Sequence, residues 1–190
     1  MNKKTIIIIV LLVLLFPIKF QYMDGGTKEY KALTYQIIKW HAINENYESG
    51  YKTGTEVHFF PNNFRSIDYY MNTEPYRLKV IYDDKSYYAY TGSFNWCNEY
   101  KNCQSVEKLM VSDFNSYEGI TITNTTQIKL RLYYDIKKIT VYKNSFDNIY
   151  RVLSPSDGLV IPSEAGMYML KIEATSGNNN VEYYFKINKI

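Results

Sequence analysis

From Tyr76 onward the chain is a succession of short segments in which apolar and polar residues alternate, and that period constrains the fold more than any other feature. Ile120 and Ile122, then Ile128, Leu130 and Leu132, are separated by Thr, Lys and Arg, which places the apolar set on one face of an extended chain. The segments YRLKVIYDD, KSYYAYTGSFNW, KLMVSDF, GITITNT, QIKLRLYYD, IKKITVYKN, IYRVLS, GMYMLKIEAT and VEYYFKINKI are punctuated by Asn, Asp, Gly, Ser and Pro. Many short strands with such punctuation predict a sandwich or barrel. No long amphipathic helix and no glycine-rich strand-to-helix crossover interrupts them, which argues against a doubly wound nucleotide fold. The 21 Tyr residues suit strands. Four Tyr-Tyr pairs begin at Tyr69, Tyr87, Tyr133 and Tyr183; in a strand each pair turns one ring to either face, so about half of these rings belong in a core.

Upstream, Tyr30 to Ile43 fits a helical stripe (Tyr30, Leu33, Ile37, Ile38) and also one strand face (Leu33, Tyr35, Ile37). The β-favouring types Thr34, Tyr35, Ile37, Ile38 and Trp40 tip the balance to a strand. With the turn chemistry of NENYESGYKTG and the strand TEVHFFP, ended by Pro61, the region predicts a hairpin. Asn62 or Asn63 is a candidate cap for a short helix over FRSIDYYM, with Asp68 in its early turns.

The N-terminus sets the compartment. MNKK followed by the apolar run Thr5 to Ile18 is an export or anchoring signal. As a helix this run spans roughly 21 Å, and continuation to Met23 reaches about 28 Å of a ~30 Å hydrocarbon core, at the cost of including Pro17, Lys19 and Gln21. Lys19 can snorkel and Tyr22 suits an interface. The following KFQYMDGGT holds nothing like Ala-x-Ala, and no Cys follows closely. The expectation is therefore an uncleaved signal anchor that meets the membrane through residues 5–23, with secretion after cleavage as the alternative. Lys3 and Lys4 keep the N-terminus inside, so residues 24–190 face outward. Asp24-Gly25-Gly26-Thr27, which alone suggests a phosphate-binding loop, then becomes a flexible exit from the membrane. The net charge is only +3, and Lys3, Lys4 and Lys19 flank the apolar run; no basic stripe calls for nucleic acid.

The only cysteines, Cys97 and Cys103, stand in WCNEYKNC after an expected strand. In an exported segment they predict a local disulfide, a clip rather than a frame. No cofactor is implied, and a metal site lacks ligands: zinc takes four, and neither histidine is near in sequence. His41 and His58 are the only histidines. Glu56 and His58 share a strand face, but no Gly-x-Ser-x-Gly elbow supplies a nucleophile. Asp83, Asp84, Glu99 and Glu107 offer carboxylates for glycoside hydrolysis without any geometry, and Asp83-Asp84 better marks a turn. Asn124-Thr125-Thr126 reads as strand-end polarity. No catalytic residue emerges.

Glu164-x-Gly166-x-Tyr168-x-Leu170 resembles the tyrosine corner of immunoglobulin-like sandwiches, in which the Tyr hydroxyl bonds back to the backbone at the entry to the penultimate strand. Leu170 stands where antibody domains carry their second cysteine, and Trp96 is a candidate core Trp. DGGTKEYKALTYQIIKWH, with GYKTGTEVHFFPNNFRSID after it, resembles an uncharacterised family of short membrane-anchored or secreted proteins of low-GC Gram-positive bacteria. The resemblance implies compartment and architecture, and it carries over no catalytic residue. The expected order is a membrane segment (1–23), a β-hairpin with a short helix (24–75), and an immunoglobulin-like β-sandwich (76–190), the whole mainly β. The function expected is non-enzymatic binding or positioning of an envelope protein or glycan. Phe94, Trp96 and Tyr100 beside the cysteine loop form the candidate contact surface, with packing of Phe94 and Trp96 in the core as the alternative. An envelope hydrolase, or an accessory subunit pairing through a sheet edge, are the alternatives.

Overall fold

The computed structural model describes residues 2–44, 46–47, 49–108, 113–123, 128–153, 159 and 163–190. Contacts divide the chain into two units, Met1–Met71 and Asn72–Ile190. The fold is mainly β with antiparallel sheets, as the alternation predicts. Most of KLMVSDF, the Asn124 sequon and Pro162 lie outside the described residues.

In the first unit, β1 (Ile18–Gln21), β2 (Lys28–Lys31), β3 (Tyr35–Ile43) and β4 (Tyr51–Phe59) form one antiparallel sheet in chain order. The expected hairpin forms between β3 and β4, but the stretch 30–43 is not one strand: residues 32–34 turn the chain between β2 and β3, and the buried face is not that of Leu33, Tyr35 and Ile37. Along β3 the side chains alternate, and Gln36, Ile38, Trp40 and Ala42 are all buried. Ile67 and Tyr70 of α2 (Ile67–Tyr70) close over Ile38, Trp40 and Ala42. This helix is shorter than FRSIDYYM, and its cap is Ser66 rather than Asn62 or Asn63. Asn63 is committed elsewhere: its Nδ2 donates to the carbonyls of Ala32 (3.0 Å) and Leu33 (3.1 Å).

The apolar run is helical only over α1 (Lys3–Leu15), and no helix among the described residues is long and apolar enough to cross a membrane. The expected continuation to Met23 is corrected by two facts. Pro17 lacks the N–H that a helix interior needs, and Phe16 before it is already extended. Ile18–Gln21 then leaves the helix altogether and pairs with Lys28–Lys31. Every residue of α1 is exposed save Leu14, which is half-buried.

The second unit holds two sheets. β5 (Lys79–Tyr82), β6 (Lys85–Tyr88) and β10 (Lys129–Arg131) form the smaller, in the order β10-β5-β6. The larger runs β12 (Ile149–Leu153), β11 (Asp135–Lys143), β13 (Gly166–Ser176), β14 (Asn179–Lys189), β7 (Tyr90–Cys97) and β8 (Cys103–Val106), with β9 (Gly119–Ile122) added parallel to β14. Val80 of the smaller sheet, and Leu78 just before it, share one core with Trp96, Ile172, Tyr183 and Phe185 of the larger. The opposite face of the larger sheet buries Met169 and Tyr184 against Phe114 and Tyr117. Tyr183 and Tyr184 thus point to opposite faces, as period two requires. Asp83 and Asp84 make the two-residue turn from β5 to β6 with φ of 50° and 58°. That left-handed pair suits a twisted hairpin, and Asp tolerates it.

Candidate functional site

The connection from β6 to β7 changes sheets. Tyr88 ends β6 in the smaller sheet, Tyr90 begins β7 in the larger, and buried Ala89 between them donates its N–H to Leu78 O (2.9 Å). Such corners open gaps between layers. Here the gap is a cleft of about 300 Å³ lined by Arg77, Tyr88, Ala89, Tyr90 and the loop Ser116, Tyr117 and Glu118. That volume is at the lower end of ordinary ligand clefts.

The walls are built from stacked groups. The Arg77 guanidinium lies 4.1 Å from the Tyr88 ring centre, and Lys108 Nζ lies 4.8 Å from that of Tyr90. Tyr90 and Tyr117 meet edge to face at 5.4 Å. Tyr117 is buried, whereas about half of Tyr90 (48%) remains exposed. The far wall is fixed by Gly119, where β9 meets β14. A Cβ there would lie 2.3 Å from Lys186 O, so any larger residue would push Glu118 and Tyr117 out of place. Chemically the cleft offers aromatic surface, a guanidinium, a carboxylate and a hydroxyl. The signal that the sequence carries for it is Tyr88-x-Tyr90, two rings that flank the strand corner at Ala89.

The expected contact surface does not form as a trio. Phe94 and Trp96 are buried in the core, Trp96 against Tyr134 (4.5 Å), because their strand positions face the smaller sheet. Tyr100 alone is exposed, in the hairpin between β7 and β8. Cys97 and Cys103 are paired in register across these strands and joined by a disulfide. Asn179 locks the same point from the neighbouring hairpin: its Oδ1 accepts from Cys97 N and its Nδ2 donates to Cys97 O, both at 2.9 Å. At the other expected motif, Tyr168 Oη donates to Glu164 O four residues upstream (3.0 Å), while Glu164 pairs with Lys143. Gly166 carries a φ of 151°, and Leu170 is buried in the core.

Asp24 to Thr27 turns out to be a docking loop for β3. Asp24 Oδ1 accepts from Gly26 N (3.2 Å) and Thr27 N (3.0 Å). Asp24 O accepts from Ile43 N (2.6 Å), Gly25 O lies 2.7 Å from His41 Nδ1, and Thr27 Oγ1 accepts from His41 N (3.1 Å). Asp24, Gly25 and Thr27 thus bond the partner strand, while the Gly26 amide closes the loop on Asp24. Asp24 titrates below the usual carboxylate range: partial burial pushes it up, but the Thr27 hydroxyl and the Thr27 and Gly26 amides outweigh that. Elsewhere in the unit, Glu56 Oε2 is 3.3 Å from His58 Nε2, as their shared face predicts, and the His58 ring stacks on Tyr70 at 3.7 Å. Among the described residues, no group of three or more His, Cys, Asp or Glu side chains is placed to hold a metal.

Fold and site together define a two-unit antiparallel β protein with an aromatic cleft at a sheet corner. Comparison of the chain with protein-family models, curated proteins and solved structures gives no match in any of the three.

Proposed function

We propose that this is a non-enzymatic β protein, tethered to the cell membrane with its folded units outside, that binds an envelope glycan in the Arg77–Tyr117 cleft. The observation that carries the reading is the cleft lining: tyrosine rings beside a guanidinium, a carboxylate and a hydroxyl. Sugars present apolar C–H faces that lie on aromatic rings, and vicinal hydroxyls that both donate and accept. Arg77 supplies donors only, Glu118 acceptors, and Ser116 both. A flat protein epitope has no comparable match to so small a concavity.

Placement at a membrane is supported by α1. A helix apolar on every side and exposed on nearly every side needs a non-aqueous surrounding. Its 13 residues span about 20 Å, which local thinning and snorkelling of Lys3, Lys4 and Lys19 can accommodate. Cleavage near Asp24 would remove β1 and Tyr22, which packs on the core of the first unit, and this favours the uncleaved tether. For the second unit, an immunoglobulin-like sandwich is the finer reading, supported by the Tyr168–Glu164 corner and Trp96 in a core shared by two sheets. The likeness to envelope proteins of low-GC Gram-positive bacteria belongs to the same proposal.

Isothermal titration of the full chain in micelles with N-acetylglucosamine oligomers and soluble peptidoglycan fragments tests the cleft. Saturable binding that Tyr88→Ala or Arg77→Ala weakens at least tenfold supports it. Binding unchanged in both variants, or none to any glycan, removes it.

A further inference from the structure

Whatever surrounds α1 must also reach the end of the sheet from which the helix emerges, and that end is built for it. Thr34 Oγ1 donates to Leu14 O (3.1 Å) and Tyr35 Oη to Leu15 O (3.0 Å), so the base of α1 is fastened to the turn between β2 and β3. Phe60 N donates to Thr34 O (3.1 Å), and Asn63 holds the carbonyls of Ala32 and Leu33, so the chain after β4 is folded onto the same turn. Phe59 pairs with Tyr35, and Ile18 pairs with Lys31. Phe16, Ile18, Leu33, Phe59, Phe60 and Phe64 therefore gather at one end of the sheet. All six are exposed, from 48% at Leu33 to 75% at Phe16.

An apolar rim of this kind on a small unit marks an interaction site. Charge says which. The segments that form this end, residues 14–20, 31–35 and 58–66, carry Lys19, Lys31 and Arg65 and no Asp or Glu; Lys31 is ion-paired with buried Glu29 (3.6 Å), which leaves Lys19 and Arg65 as the cations for a headgroup. Phenylalanine and leucine beside lysine and arginine suit the boundary between acyl chains and anionic headgroups. We infer that this end of the first unit is a membrane-docking collar, in which Leu33, Phe59, Phe60 and Phe64 enter the bilayer interface around the base of α1. The collar rests on the proposed tether, and it holds the sheet upright on the lipid instead of letting the folded chain swing on a flexible stalk.

The described chain has no free cysteine, so single introduced cysteines report cleanly. The full chain is labelled with an environment-sensitive fluorophore in the variants Phe59→Cys, Phe64→Cys, Thr53→Cys and Leu11→Cys. Each is placed in vesicles of phosphatidylcholine and phosphatidylglycerol at three to one, with and without spin-labelled phosphatidylcholine. Thr53 is exposed and six residues before Phe59 on β4, about 20 Å away. The collar predicts blue-shifted, quenched emission at positions 59, 64 and 11, and water-like emission at 53. Water-like emission at 59 and 64 with quenching at 11 overturns the collar and leaves the tether standing. Water-like emission at all four positions overturns both.

Discussion

Replacing Gly25 by Ala isolates the docking of Asp24–Thr27 on β3, and two costs follow from the geometry. The φ of 120° is a region that side chains rarely adopt, which costs about 1–3 kcal/mol. The added Cβ would also lie 2.7 Å from His41 O and 3.1 Å from Ile43 Cγ1. The first neighbour is backbone of a paired strand and cannot swing aside, so the loop must withdraw. Withdrawal stretches the Ile43 N to Asp24 O and His41 Nδ1 to Gly25 O bonds, at about 1 kcal/mol each. The sum is roughly 3–5 kcal/mol against the first unit. Gly26→Ala is the control: its φ is 118°, but the nearest atom to a new Cβ is His41 Nδ1 at 3.8 Å, so only the conformational cost applies. The two tryptophans report separately, Trp40 in the first unit's core and Trp96 in the second's. Denaturant unfolding in micelles, followed by Trp40 fluorescence in a Trp96→Phe background, should show Gly25→Ala less stable than Gly26→Ala by about 2 kcal/mol. Equal effects of the two substitutions would refute the close-approach argument.

Three further outcomes follow from the same geometry. Asp24 has a depressed folded pKa, so its ionised form stabilises the fold above the ordinary value of 3.8 and that stability is lost as pH falls below it. The Trp40 transition should therefore weaken on acidification below about pH 4, and Asp24→Asn should flatten that dependence. Tyr168→Phe removes the hydroxyl that donates to Glu164 O and should cost the second unit about 1 kcal/mol by Trp96-monitored unfolding, with Tyr150 still packed on the ring. Reduction of Cys97–Cys103, which closes a very short loop, should cost about 2 kcal/mol and leave the hairpin held by Asn179.

Period two is legible because it is a local property: Ile120 and Ile122 alternate into the core along β9, whereas β11, β13 and β14 each bury three consecutive residues and show it less cleanly. Cys97 with Cys103 and Tyr168 with Glu164 were legible for a related reason: both partners lie within a few residues. The end of α1 is not legible in hydropathy, which continues through Ile18 and Phe20, because pairing with Lys28–Lys31 decides their conformation. Phe94 and Trp96 carry both readings in the sequence, contact surface and core, since sequence shows which residues share a strand face but not which face another sheet covers; the structure selects the core. The cleft was invisible for the strongest reason. Arg77, Tyr88 and Tyr117 are brought together by a strand that changes sheets at Ala89 and by β9 joining β14 in parallel, and neither event leaves a local periodicity.

The central claim is that the corner cleft takes a sugar. Amide chemical-shift mapping of the full chain in micelles, titrated with N-acetylglucosamine oligomers and soluble peptidoglycan fragments, tests it most directly. The account predicts saturable shifts concentrated at Arg77, Tyr88 to Tyr90 and Ser116 to Glu118, with the Asp24–Thr27 loop and the Cys97–Cys103 hairpin unmoved. Shifts confined to those other regions, or none with any glycan, would contradict it.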